Sequence, residues 1–90
     1  MKTISNQNEE METKFLELRA LRNRARKRRA NKELIQAKQL YSQAIEVAKE
    51  LNSEEDVDKL KIIVLKIELD MLIERLHKIE QGLMDLGLNN

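Results

Sequence analysis

The chain has no proline, no cysteine and no tryptophan, and only one tyrosine and one phenylalanine among 90 residues. Without cysteine it has no disulfide scaffold, thiolate metal site or cysteine nucleophile, and a reducing, cytoplasmic location is the expectation. Without proline, no helix is interrupted from within. Aromatics make up 2% of the residues, so little bulky material is available for a core. A single domain of this length buries only roughly 60–65% of its unfolded surface. The two glycines, Gly82 and Gly87, stand near the C-terminus, so no glycine-rich loop exists to cradle a phosphate. No segment approaches the ~18–20 uncharged apolar residues of a membrane span, and residues 1–6 lack an apolar signal-peptide core. Neither a membrane span nor a secretory signal is expected.

What remains is mostly Leu, Ile, Ala, Glu, Lys, Arg and Gln, with 37% of residues charged and 41% hydrophobic. These are good or acceptable helix formers, and they predict an all-α fold. Residues 1–8 are polar and aperiodic and read as a flexible arm, and helices are predicted at about 9–30, 32–51 and 54–86. Asn8, followed by Glu9, Glu10 and Glu12, suits a helix start. Asn52 can adopt the left-handed conformation that ends a helix, and Ser53 with Asp56 resembles a capping box. Gly87 is a natural terminator and Gly82 a candidate fraying point.

Leu34, Ala37, Tyr41, Ala44, Ala48 and Leu51 recur at three and four residues, as on one helix face. Met11, Phe15, Leu18 and Ala25 form an upstream stripe two residues out of register, roughly 200° around a helix. A break or bend at 30–32 is expected. The last helix carries Val57, Leu60, Val64, Ile67 and Met71 on one stripe. A second stripe holds Leu65, Leu69, Leu72, Leu76, Ile79, Leu83 and Leu86. A helix this apolar must be covered on more than one side. The alanine-rich helix cannot do that alone, so cover must come from residues 9–29, from a second copy, or from both. A helix of 33 residues is also ~50 Å long, far longer than a compact chain of this size. A homodimer or higher oligomer is expected, with Leu60, Leu65, Ile67, Leu69, Val64, Met71, Leu72, Leu76, Ile79 and Leu83 as core and interface positions.

The net charge of +1 hides strong segregation. Between residues 19 and 32, eight of fourteen residues are basic and none is acidic: Arg19, Arg22, Arg24, Arg26, Lys27, Arg28, Arg29 and Lys32. Arginine suits bidentate contact with phosphate or carboxylate. One reading is a helix that contacts nucleic acid, with salt-dependent affinity. No aromatic is interleaved for base stacking, because Phe15 and Tyr41 lie outside the run. The other reading is a patch neutralised by acids such as Glu68, Asp70, Glu74 and Glu80, within the chain or across subunits. The segment from Asn23 to Arg29 departs from a basic-leucine-zipper region, because Arg26 and Lys27 occupy places where that family has alanines.

Ala25, a turn near Asn31, Leu34 and then Ala37-x3-Tyr41-x2-Ala44-Ile45 make a second pattern. Residues 21–51 resemble a single tetratricopeptide-type helical hairpin, and equally the first two helices of a microtubule-interacting-and-transport domain. That resemblance covers about a third of the chain and implies peptide binding in a groove between helices. Arg24 and Arg28 stand where those families have apolar residues in their first helix.

Catalytic and metal chemistry find little purchase. Ser5, Ser42 and Ser53 have no nearby histidine. Glu74 and His77 have the spacing of a helical ligand pair, but His77 is the only histidine and lies off the apolar stripes, which reads as a solvent-facing residue. Dimeric helical chorismate mutases share this length and architecture, yet need basic residues converging on an apolar pocket, where this chain has one basic run. The expectation is a non-enzymatic, self-associating helical protein with no cofactor or metal, binding another protein through residues 19–32. The alternative is a small nucleic-acid-binding regulator using the same segment.

Overall fold

The structure, a computed structural model, describes residues 2–87, with side chains from residue 9 onward. It contains α1 (Lys2–Ala30), α2 (Leu34–Glu50) and α3 (Glu54–Asp85), and no strand among the described residues. The protein is all-α. Helix α1 starts at Lys2 and not near Glu9, so the segment expected as an arm continues the helix. Neither proline nor glycine lies between Lys2 and Ala30, and once a turn has formed each added residue gains a hydrogen bond at little entropic cost. Met1, the other end of that expected arm, lies outside the described residues.

Both turns are built the same way. Lys32 (φ 61°) and Asn52 (φ 56°) take the left-handed conformation just after α1 and α2. The Lys32 N–H donates to the Arg29 carbonyl and the Glu33 N–H to that of Arg28. Likewise Asn52 donates to Lys49 and Ser53 to Ala48. Each turn is a Schellman motif, which satisfies the last carbonyls of the helix and reverses the chain within three residues. The break expected at 30–32 therefore falls at 31–33, and the two-residue mismatch between stripes disappears because α1 and α2 share no register. Gly87 (φ 72°) ends α3 in the same conformation, and the helix passes through Gly82 without fraying. At the start of α3 the cap differs from expectation. The Ser53 hydroxyl donates to Asp56 Oδ2 at 2.6 Å and makes no bond to a backbone N–H.

Helix α2 is the centre of the molecule. Helices α1 and α3 each pack antiparallel on it and barely touch one another. Its alanines at 37, 44 and 48 are fully buried, as is Ala25 of α1, and side chains this small let the helices approach closely. Leu40, Tyr41, Ile45 and Val47 fill the remainder between Leu18 and Leu21 of α1 and Val57, Leu60 and Ile67 of α3. Val64 and Met71 pack partly buried against the same cluster. The cover for α3 considered from residues 9–29 does not form, because α1 spends its apolar face on α2.

The lengths of the helices do not match. Helix α2 has 17 residues and α3 has 32, so α3 is about 22 Å longer at 1.5 Å per residue. Met71 is the last α3 residue against the core, and the continuation of that inner stripe turns polar at Glu74 and Lys78 where α2 has run out. At the opposite end α1 projects past Glu50, beside which Lys14 sits. The molecule measures 74 × 21 × 12 Å, with a radius of gyration of 18.9 Å where a compact chain of this length has about 12 Å.

Two stability changes follow. Lys32→Gly removes the Cβ that opposes a positive φ and is expected to stabilise by about 0.5–1 kcal/mol. It should raise Tm by roughly 2–6 °C at fixed protein concentration, and an unchanged or lower Tm contradicts the strain at this position. Leu60→Ala empties a fully buried site facing α2 and is expected to cost about 2–5 kcal/mol in urea unfolding.

Candidate functional surfaces

Seven of the eight basic residues lie on the second half of α1 and Lys32 lies in the turn after it, and the structure sorts them by partner. Arg22 reaches Asp56 and Arg29 reaches Asp70, both at 3.8 Å, and Arg28 pairs with Glu33. Among the described residues, Arg19, Arg24, Arg26, Lys27 and Lys32 make no ion pair. Internal neutralisation is thus partial. Of the acids expected to supply it, Asp70 does so, while Glu68 pairs with Lys38 of α2 at 3.1 Å and Glu74 and Glu80 point to solvent on the projecting part of α3. The two long bridges from α1 to α3 are partly exposed, and such pairs contribute at most about 1 kcal/mol each. They link the outer helices where few other contacts do.

A shallow cleft of about 390 Å³ runs along this face, lined by Phe15, Leu18, Arg19, Arg22, Asn23 and Arg26 of α1 and by Asp56 of α3. Phe15, Arg19, Arg22 and Arg26 follow one another at spacings of four, three and four, so they share one helical face. Phe15 is half exposed. No aromatic is interleaved within the run, as expected, but the ring of Phe15 stands at the end of the arginine row, one turn before Arg19. Tyr41 is buried in the core and takes no part. Beyond this face Lys14 donates to Glu50, and that hydrogen bond holds its pKa above the ordinary value.

The second surface is on α3. Leu60, Val64, Ile67 and Met71 face α2, so these predicted positions belong to the core within one chain. Leu65, Leu69, Leu72, Leu76, Ile79 and Leu83 are uncovered, with between 42% and 64% of their surface accessible. Ile62 and Leu86 extend the same row in both directions and are exposed too. At 100° per residue the row lies about 140° around α3 from the inner stripe near residues 62–72. It keeps its apolar character past Met71, where the inner stripe loses it. Isolated exposed leucines are ordinary on a monomer, whereas these eight form one contiguous row along a single face.

His77 is exposed, and among the described residues no three His, Asp or Glu side chains gather to hold a metal. No helix is long and apolar enough to cross a membrane among the described residues. Comparison with known proteins finds no family model, no curated protein and no solved structure that matches the chain.

The sequence reading missed Phe15, Asn23 and Asp56 as companions of the arginines. The helical spacing of Phe15 to Arg19, Arg22 and Arg26 was the available signal for the first. Asp56 had none, since only the packing of α3 against α2 brings it to α1.

Proposed function

We propose that this chain is a non-enzymatic, self-associating helical adaptor. Its α3 row pairs with a second copy, and the arginine face of α1 engages an anionic partner, most simply an acidic protein segment. The observation that carries this reading is the apolar row on α3, which persists for fifteen residues beyond the last one covered by α2. Eight side chains per chain, each near half exposed, contribute roughly 12–24 kcal/mol across two chains when buried. Association costs about 4–15 kcal/mol. The gain exceeds the cost over most of that range, which supports pairing of two copies through this surface. The cleft beside Phe15 and the arginines supports the partner side of the reading, as does the resemblance of residues 21–51 to groove-forming helical hairpins. A cytoplasmic setting fits a chain without cysteine.

A second reading is favoured by one specific feature, the half-exposed Phe15 at the end of the arginine row. A ring beside guanidinium groups suits a stacked base next to contacted phosphates, and the chain is then a small nucleic-acid-binding regulator.

Sedimentation equilibrium at tens of micromolar is expected to show a dimer or larger species, and Leu72→Asp combined with Leu76→Asp is expected to return it to 10.6 kDa. Circular dichroism should show α1 and α2 still folded in that variant. A wild-type monomer at these concentrations ends the self-association reading. For the basic face, Arg19→Gln, Arg24→Gln and Arg26→Gln together are expected to weaken binding of an acidic helical peptide about tenfold or more, with the dimer intact. If filter binding at low salt instead shows DNA or RNA retained with a salt slope of about −0.7 to −0.9 per phosphate contacted, and these variants flatten it, the nucleic-acid reading replaces the protein one.

A further inference from the structure

The row on α3 has a regular repeat. From Ile62 to Leu86 the spacing runs three, four, three, four, three, four, three, which gives eight consecutive apolar positions alternating as a and d of a heptad. Ile62 opens the series as an a position and Leu86 closes it as a d position. The flanking e positions are then Lys66, Ile73 and Glu80, and the g positions are Lys61, Glu68 and Arg75.

We infer that two copies pair through this seam as a two-stranded antiparallel coiled coil, with Ile62 opposite the partner's Leu86. This rests on the self-association reading and assigns its geometry. Only one antiparallel register uses all eight layers; a shift by a heptad in either direction leaves six. In that register Lys66 faces the partner's Glu80 on both sides of the two-fold axis, and Ile73 meets the partner's Ile73 on the axis, extending the apolar contact. The one unfavourable pair is Arg75 against its own copy. A parallel, in-register pair sets Lys61 against the partner's Lys66 twice, which offsets its two Arg75–Glu80 attractions. Three of the four a positions are leucine, whereas parallel dimers favour β-branched residues there. Glu68 is already engaged by Lys38 and does not enter the balance.

The packing of the monomer agrees with this geometry. Beyond Met71 the helix adds nothing to the core of its own chain, and only Glu74, Arg75 and Lys78 border the start of α2. In the antiparallel register residues 77–86 of that projecting part lie along the partner's residues 62–71, which are backed by α2 on their other side, and residues 72–76 of the two copies lie along one another. Each unsupported end thus rests on the braced portion of the other copy, and the α1–α2 pairs stay on the outside, clear of the seam.

The charge pattern separates the two orientations. Lys66→Glu is expected to weaken self-association about five- to thirty-fold, by turning two attractions into repulsions, and adding Glu80→Lys is expected to restore it. In a parallel pair Lys66→Glu strengthens association, because it then faces the partner's Lys61, and that result overturns the inference. Cysteine placement gives an independent readout, since the natural chain has none. A short bismaleimide is expected to join Leu65→Cys protein to Leu83→Cys protein in an equimolar mixture. Neither variant alone is expected to react with itself, because like positions are about 27 Å apart along the axis. Self-crosslinking of Leu65→Cys means a parallel pair, and dimers by sedimentation with no crosslink in any mixture mean another interface. In both cases self-association stands while this geometry falls. A monomer by sedimentation removes both.

Discussion

The structure depends on one constraint: a short, alanine-rich helix sits between two helices far longer than itself. Helix α2 carries its alanines along one face with larger apolar residues on both flanks, so α1 and α3 both pack against it, but its length limits how much of either it can cover. The size, the elongation and the two projecting ends are consequences of that mismatch. The core is narrow and is filled mostly by Leu, Ile, Val and Ala, which is what a chain with 2% aromatic residues can supply.

The same constraint separates the two surfaces. On α1, the residues facing α2 are apolar at 18, 21 and 25, and the rest of the helix is left to carry charge. On α3 the face toward α2 stops being apolar where α2 ends, while the opposite face does not. The row of leucines thus outlasts its intramolecular partner, and residues 72, 76, 79, 83 and 86 stay apolar and exposed.

Much of this was legible in the amino acids. The three helices, the left-handed Asn52, the termination at Gly87 and the two apolar stripes of α3 all follow from local signals of capping and periodicity. The less legible parts required a third dimension. Lys32 as the turning residue had no signature, since lysine is not a usual left-handed residue, and the turn is forced by the two packed helices on either side of it. The start of α1 at Lys2 went unseen because its first residues carry no apolar period, although they contain nothing that stops a helix. Which acids neutralise which arginines also depended on packing. Asp56 and Asp70 reach α1 because α3 lies parallel to it across α2, whereas Glu74 and Glu80 lie beyond the end of that arrangement.

Because every helix packs only on its neighbour in sequence, the protein consists of two helical hairpins that share their middle element. Such a chain has low contact order: no loop longer than a hairpin must close before apolar surface is buried. Folding can start at either Schellman turn, each a tight reversal of the chain, and spread outward from it. The chain is expected to fold in roughly microseconds to milliseconds, with the leucine row still exposed once all three helices are packed.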